Sequence, residues 1–268
     1  MTTLKILHFH AFKNGGSTLD WILKRNFGNQ FAEYHGPSAQ DSLLQADIFK
    51  YIDNFPEVLA LSSHHFRFPI QNKFGGADLI PISFLRHPID RIYSVYAHEQ
   101  RNISLEVESR MSFKTWLELS FNESPYSIRD VQTNLYADGG TYYEVPDIGT
   151  LKRACHFLDS LAFCGIVEEY DSSIVWFEEI ISRYGVRFDG AYRQQNINPE
   201  RVSSLQQRIE NILNLIGDAL FDQLIQNNLY DLSLYEHASK KLQAQISQIA
   251  NFDMKVRSLR QRSLMLGN

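Results

Sequence analysis

Four short apolar runs are the most regular feature of this chain. They cover residues 4–9, 58–61, 79–85 and 161–167, and each has the length of a β-strand. After the first run, apolar residues recur every three or four positions over residues 19–27, which is the spacing of an amphipathic helix. Strands that alternate with helical segments are joined by crossovers, so the pattern predicts an α/β fold with a parallel, P-loop-like sheet flanked by helices.

Residues typical of helix starts mark three further helices. Pro88 suits a first helical position directly after the third run, and Asp171 is predicted to cap a helix over residues 172–184. Asn198 and Pro199 provide a cap followed by a proline. These signals place helices after the third and fourth strands and at the start of the last third of the chain.

The last third of the chain has an almost entirely helical pattern up to about residue 250. No linker or repeat divides the sequence, so we predict a single domain over 1–268 with a helical C-terminal portion over about 199–268. Beyond Met254 the chain is basic and carries no acid, with Lys255, Arg257, Arg260 and Arg262. This tail is interpreted as a solvated helix end rather than a binding patch.

Charge and hydropathy exclude several classes of protein. With 26 basic and 31 acidic side chains the net charge is −5, which argues against a chain-wide nucleic-acid or anionic-membrane binder but permits a local basic pocket. No apolar run approaches the ~20 residues of a membrane span. The N-terminus reaches histidines before any long apolar region, unlike a secretory signal. We therefore expect a cytoplasmic protein without a membrane span.

Cysteine usage agrees with a reducing compartment. The 2 cysteines of the chain, Cys155 and Cys164, are too few for a disulfide scaffold or a four-thiolate zinc site. They flank a predicted helix–strand junction. We interpret them as reduced thiols in the core.

The segment between the first strand and its helix has the features of an anion-binding loop. Two adjacent glycines let the backbone approach a ligand closely, and the amides at the helix start point outward. A lysine and two hydroxyls complete the set: Lys13, Asn14, Gly15, Gly16, Ser17 and Thr18. The lysine precedes the glycines, whereas in the Walker pattern it follows them. The loop is thus a candidate cradle for a terminal phosphate or sulfate, although a glycine pair alone is equally typical of a plain turn.

A second candidate follows the third apolar run. Arg86 stands at the carboxyl end of this strand, where open α/β sheets bind ligands, and a guanidinium there can form two hydrogen bonds to a phosphate. The helix that begins at Pro88 carries Ser94 in its second turn. Asp90 is expected to interact with the helix dipole, and Arg91 to lie on the surface or pair with it.

Together these segments resemble the nucleotide-binding segments of sulfotransferases that use 3′-phosphoadenosine 5′-phosphosulfate (PAPS). Residues 10–19 resemble the 5′-phosphosulfate loop of the group nearest heparan sulfate 2-O-sulfotransferase and its bacterial relatives, in which this loop often reads His-x-Pro-Lys-Thr-Gly-Gly-Thr. Phe12 and Asn14 replace the usual proline and threonine. Residues 84–96 resemble the 3′-phosphate segment, Arg-x-Pro-x-x-Arg-x-x-Ser. Further similar segments are 130–135, 161–171 and 228–235.

The resemblance implies an in-line transfer of a sulfuryl group from PAPS to an acceptor hydroxyl, with PAP as product. A carbohydrate is the favoured acceptor. Lys13 would stabilise charge on the bridging phosphate oxygen, and the rest of the nucleotide site would be Asn14, Gly15, Gly16, Ser17, Thr18, Arg86 and Ser94. A sulfuryl group is less negative than a phosphoryl group, and no acid is placed like a kinase metal ligand, so no metal is inferred.

The candidate base comes from the segment after the second strand, residues 61–68. The resembled family carries there a histidine that takes the proton of the acceptor hydroxyl, and imidazole suits this role at neutral pH. The aromatic-basic-aromatic residues that follow favour His65, with His64 as the alternative, although a histidine after a strand is often only packed. Substrate-side residues are predicted to be His10, Arg67, Gln132 and Thr133. Arg193 is placed either near the nucleotide or in a surface loop.

Two other classes of function stay open at this stage. A P-loop kinase or nucleotide phosphotransferase shares the strand–loop–helix and needs magnesium, but the Gly-Lys-Ser/Thr order is absent. A catalytically silent nucleotide- or glycan-binding relative is the other alternative. The expected partner is a hydroxyl-bearing acceptor and not a nucleic acid, and a homo-oligomer stays open.

Overall fold

A computed structural model describes residues 3–38, 41–67, 69–102, 111–137, 145–193 and 204–267. Its centre is a mostly parallel sheet in which β1 lies between β3 and β5. β2 pairs with β3 and β6 pairs with β5, also in parallel, while the short β4 pairs with β5 antiparallel. The strands are β1 (Thr3–Phe9), β2 (Phe31–Glu33), β3 (Ala60–Ser63), β4 (Lys73–Phe74), β5 (Ala77–Leu85) and β6 (Phe163–Ile166).

Helices flank this sheet, and the C-terminal region is helical, so the predicted fold class is confirmed. The first seven helices are α1 (Gly16–Phe27), α2 (Gln45–Asn54), α3 (Pro88–Asn102), α4 (Phe113–Glu123), α5 (Val131–Tyr136), α6 (Ile148–Ser160) and α7 (Tyr170–Ser182). The C-terminal helices are α8 (Leu205–Ile216), α9 (Asp218–Gln226), α10 (Leu229–Ile246) and α11 (Phe252–Met265).

The register brings three chain segments to one edge of the sheet. His8 lies opposite Ser62 of β3 and Ile82 of β5, and Phe9 lies opposite Ser63. Because these strands are parallel, their carboxyl ends meet. The loop after β1, the histidines after β3 and the arginine after β5 are therefore neighbours.

Two apolar clusters hold the molecule together. The larger one joins the sheet to its flanking helices, with the side chains of Ile6, Leu7 and Ile82 completely buried. Parallel strands covered on both faces are apolar almost throughout, which is why the strands appear in the sequence as continuous runs. A second cluster joins α3, α4, α8 and α9 around Ile89 and Leu117.

Each predicted run overlaps a strand, and Pro88 is the first residue of α3 as predicted. β2 and β4 were not predicted, because runs of three and two residues are too short to show a period. The predicted capping role of Asp171 is wrong: a 3₁₀ turn over Val167–Glu169 leads directly into α7, and Asp171 falls in its first turn. The predicted cap at Asn198 and Pro199 lies outside the described residues.

The basic C-terminal segment is a helix docked on α7, not a free end. Arg260 pairs with Asp171 at 2.6 Å, and Arg262 contacts Glu178 at 2.9 Å. Lys255 pairs with Glu179. The prediction of a solvated helix end is therefore wrong, because acids from α7 lie opposite the cations of this segment.

Both cysteines are free thiols, on either side of the junction between α6 and β6. Cys164 is buried, and this burial raises the pKa of its thiol to about 12. Within the described ranges, no helix is long and apolar enough to span a membrane.

Candidate functional site

The loop between β1 and α1 has an unusual backbone that two arginines hold in place. Lys13 has a φ of 66°, in the left-handed region that non-glycine residues seldom adopt, and α1 begins at Gly16. Nη1 of Arg86 donates to the carbonyl of Lys13 at 3.0 Å, and Nε of Arg91 donates to the carbonyl of Phe12 at 3.1 Å. These bonds occupy two carbonyl oxygens that would otherwise repel an anion at the loop.

Asp90 fixes the first of these arginines. Arg86 is only 5% exposed, and its Nε and Nη2 each lie 2.8 Å from Oδ2 of Asp90. Oδ1 of Asp90 accepts from Nε of Arg208 at 2.9 Å. Asp90 lies in the first turn of α3, as its predicted dipole role requires, and it also bridges two guanidinium groups. Arg91 is buried rather than on the surface.

Gln132 ties the loop to the end of β5. Its Oε1 accepts from Nδ2 of Asn14 at 2.9 Å and from the backbone amide of Arg86 at 3.0 Å. Its Nε2 donates to the carbonyl of Arg86 at 2.9 Å, and Nδ2 of Asn14 also donates to the carbonyl of Phe84 at 2.8 Å. The buried side-chain amide of Gln132 thus bonds to both the backbone N–H and the backbone carbonyl of Arg86, and it also holds the side chain of Asn14.

The substrate-side roles predicted for three residues do not fit their positions. Gln132 is 1% exposed and Thr133 is completely buried, with its backbone amide donating to Asp231 at 2.6 Å. Arg67 is buried too, and its Nη1 donates to the carbonyls of Phe66 and His64 at 2.9 and 3.2 Å. The side chain of Gln132 is bonded to the loop and that of Arg67 to the histidine segment, so we assign these two residues to holding those segments, and Thr133 to the buried contact with Asp231.

His10 packs edge-on against the start of α1. A Cβ on Gly16 would lie 2.1 Å from Cδ2 and 2.4 Å from Nε2 of the His10 ring. Only glycine leaves room for the imidazole at this position. The second loop glycine therefore brings His10 against the first amides of the helix, where an anion would sit.

Asp20 on α1 clamps two histidines of β1. Its Oδ1 lies 2.7 Å from Nδ1 of His8, and its Oδ2 lies 2.7 Å from Nδ1 of His10. Burial acts to raise the pKa of Asp20, but the two imidazoles outweigh it and hold this pKa far below its usual value. The carboxylate is therefore ionised, and it orients both rings.

The same three side chains form a group whose donor atoms lie within 4.8 Å of one another, close enough to hold a metal ion. In the structure each imidazole nitrogen is hydrogen-bonded to its own carboxylate oxygen. A metal would have to displace both hydrogen bonds. The observed geometry is that of a histidine clamp.

His64 has a tautomer fixed by the backbone. Its Nδ1 lies 2.6 Å from the carbonyl oxygen of His10, and a carbonyl only accepts, so Nδ1 carries the proton. The neutral ring then has a free lone pair on Nε2. Burial, followed by the neighbouring His10, lowers the pKa of His64 to about 4, so the ring is neutral at pH 7.

His65 has the opposite arrangement. Its Nδ1 accepts from the backbone amide of Gly36 at 2.8 Å, so the proton of the neutral ring must lie on Nε2. The single lone pair of the neutral ring is then engaged by the Gly36 amide, so this ring has none left to take a proton from an acceptor. The prediction that favoured His65 is not supported by this geometry, which favours His64.

A cavity of about 350 Å³ opens beside these residues. Its lining includes His64, His10 and Ser17, the exposed second residue of α1. The candidate base and the start of α1 therefore border the same space. Lys13 is half-buried in the loop before this helix, and burial, followed by the charges of Arg86 and Arg101, lowers its pKa to about 8.

The remaining predicted residues have varied surroundings. Thr18 is buried and Ser94 is half-buried. Gly15 has a φ of 73°, and its carbonyl accepts from the hydroxyl of Tyr170 at 3.4 Å. Arg193 is exposed and donates to the carbonyl of Leu266 at the end of α11.

Asp20 and His8 were not among the predicted site residues. A usable signal was present, since His8 and His10 are two positions apart at the end of β1 and face the same way, and Asp20 lies one turn into the following helix. The pairing itself depends on how α1 packs on β1, which no local pattern records.

Comparison with known proteins adds a relative without an assigned activity. No protein-family model matches the chain. An uncharacterized protein of Archaeoglobus fulgidus is 28% identical over 250 residues, which cover 88% of this chain and 96% of that protein. The similarity thus extends over nearly the full length of both chains.

Proposed function

We propose that this protein is a sulfotransferase that moves the sulfuryl group of PAPS to an acceptor hydroxyl, with a carbohydrate as the favoured acceptor. One observation carries the proposal: a neutral imidazole with a free lone pair, on His64, borders the same cavity as the glycine-lined start of α1. Group transfer to a hydroxyl needs a proton acceptor beside an anion site, and His64 and the start of α1 are our candidates for these two parts.

In the proposed reaction the acceptor oxygen attacks sulfur in line with the bond that breaks. A new bond forms between that oxygen and sulfur, and the bond from sulfur to the bridging phosphate oxygen breaks. Nε2 of His64 takes the hydroxyl proton. Lys13 and the first amides of α1 stabilise the negative charge that remains on PAP.

Arg86 has two roles in this proposal. It donates to the carbonyl of Lys13 and to Asp90. Its remaining N–H groups would donate to the ribose 3′-phosphate, together with the hydroxyl of Ser94 on α3. Charge-assisted hydrogen bonds are each worth about 1.5–3 kcal/mol, and ~1.4 kcal/mol is tenfold in affinity. The 3′-phosphate should therefore strengthen binding by roughly 10- to 100-fold.

Calorimetry with PAP and ADP tests the nucleotide assignment without knowledge of the acceptor. We expect PAP to bind far more tightly than ADP, and Arg86→Ala to remove most of the difference. Lys13→Ala should weaken both nucleotides together, because its target is the 5′ end. Equal affinity of the unmodified protein for the two nucleotides would exclude the sulfotransferase assignment and favour a kinase-like one.

Turnover tests the chemistry. The protein is incubated with PAPS and a panel of hydroxyl acceptors, and products are read by the mass gain of one sulfate. No metal enters the proposed mechanism, so EDTA should leave the rate unchanged. Tight PAP binding without turnover on any acceptor would indicate a nucleotide-binding protein that does not catalyse the transfer.

A further inference from the structure

We propose that the cleft between α1 and β2 is the acceptor site, and that it takes an uncharged polyhydroxyl ring such as a neutral hexose. That the bound ring is the acceptor of the sulfuryl group rests on the proposed function. The binding site itself stands on the geometry and charge of the cleft, and it is testable without turnover.

One helix face and one strand face form the walls. The helix wall carries Ser17, Asp20, Trp21 and Lys24, which share a face of α1 because they are spaced by one helical turn. The opposite wall carries Phe31, Glu33 and His35, which alternate along β2 and its extension. Both walls belong to regular elements, so the cleft is largely preformed.

The size of the cleft fits a small ligand. Its volume of about 350 Å³ lies at the lower end of the range for small-molecule sites, roughly 300–1,000 Å³. His64 lines the cleft together with Ser17. A ring in the cleft would therefore bring a hydroxyl to the proposed base beside the helix start.

Two aromatic rings offer the apolar surface that a sugar ring requires. Trp21 and Phe31 are half-buried and pack against the main core, one from each wall. The C–H face of a pyranose is apolar, so it packs on such rings while its hydroxyls bond to polar groups at the edge. Lys24, Glu33 and His35 are exposed and supply those groups.

The charge of the cleft argues against an anionic acceptor. Among the described residues that line the cleft, Lys24 is the single lysine or arginine, whereas Asp20 and Glu33 both contribute carboxylates. Glu33 lies 3.5 Å from His35, and no cation is closer to it among the described ion pairs. A uronate or sulfated sugar would meet no net positive charge here, and the Glu33 carboxylate would repel it.

The guanidinium of Arg25, which contacts the lining residue Trp21, is already engaged. Arg25 lies over the ring of Trp21, 5.4 Å from its centroid. Its Nη1 donates to Asp189 at 3.0 Å, and its Nη2 donates to the carbonyls of Asp189 and Ala191. Its charge therefore serves the contact between α1 and the segment after α7, which leaves a neutral ligand as the best match.

Tryptophan fluorescence provides a direct measurement. Trp116 and Trp176 are buried, so Trp21 is the half-buried reporter in this cleft. The protein is titrated with the methyl glycosides of glucose, galactose and mannose, and with methyl glucuronide, in the presence of PAP. We expect a saturable signal with at least one neutral glycoside and a Kd at least tenfold weaker for the glucuronide than for methyl glucoside.

Variants separate the cleft from other surfaces. Trp21→Phe should abolish the fluorescence signal while calorimetry still detects the glycoside, and Trp21→Ala should weaken binding at least tenfold. Glu33→Lys should shift the preference toward the glucuronide by about 3- to 10-fold. Glu57→Lys is the matched control, since Glu57 is exposed and outside the cleft, and it should leave the preference unchanged.

Three results would overturn the inference: no saturable response to any neutral glycoside, a glucuronide that binds at least as tightly as methyl glucoside, or no change on Glu33→Lys. These outcomes are distinct from failure of the proposed function. A protein that prefers PAP over ADP but binds no glycoside has lost only the cleft assignment. A protein that binds glycosides but does not prefer PAP has lost only the nucleotide assignment.

Discussion

Nδ1 of His64 lies 2.6 Å from the carbonyl oxygen of His10, and this contact decides which histidine is able to accept a proton. A backbone carbonyl orients the ring and leaves Nε2 unprotonated. His65, the next residue, receives a backbone amide proton on its own Nδ1 instead. Neighbours in sequence therefore have opposite tautomers, and only His64 lines the cavity.

The two histidines are predicted to differ in mutants. His64→Ala should lower turnover of PAPS by roughly 10²- to 10⁴-fold, the usual contribution of a positioned base. His65→Ala is the control and should be much milder. PAP affinity, measured by calorimetry, should change little in either variant. The reverse ranking would return the role to His65, and two mild effects would remove histidine from the chemistry.

The value of kcat/KM should stay constant down to an unusually low pH. A base works above its pKa, and the pKa of His64 is about 4, so protonation should slow the reaction only near that pH. A cation works below its pKa, and the pKa of Lys13 is about 8, so the rate should fall above it. Lys13→Arg should remove the alkaline fall, because a guanidinium keeps its proton. An acid limb near pH 6.5, the ordinary histidine value, would contradict the assignment of His64.

Gly16→Ala should disturb the anion site. The new Cβ would lie 2.1 Å from the His10 ring, so the imidazole must leave its place against the helix start. Overpacking of this kind costs roughly 1–3 kcal/mol, and PAP affinity should fall with it. Gly28→Ala, at the other end of α1, is the control: its φ of 55° strains the backbone, but nothing lies within 4 Å of the new Cβ. Equal PAP affinity in both variants would show that His10 does not contribute.

Gln132→Ala should destabilise the fold and loosen the loop. It removes partners of the Arg86 peptide and of Asn14, and each buried polar group left unpaired costs about 1–3 kcal/mol. Urea unfolding should report a loss of about 3 kcal/mol or more. Gln207→Ala on the exposed face of α8 should change stability by less than about 0.5 kcal/mol. An acceptor-binding role for Gln132 would instead show weaker acceptor binding at unchanged stability.

Much of the fold was predictable because its signals are local. Apolar runs marked β1, β3, β5 and β6, and Pro88 marked the start of α3. The loop of Lys13 and Gly16 was recognisable from residue types alone, since glycines and a lysine before a helix are adjacent in sequence. The short β2 was missed, although its Phe31 and Glu33 line the cleft.

The sequence by itself determined the order of β1, β3, β5 and β6, the starts of α1 and α3, and the edge of the sheet at which the candidate site lies, because hydrophobic period and strand direction are properties of neighbouring residues. Only the tertiary structure decided what the site residues do. Arg86 and Lys13 are joined across 73 positions, and His64 and His10 across 54. Tautomer, burial and the partner of each charge depend on such contacts between distant segments, and these form only when the strands adopt their register.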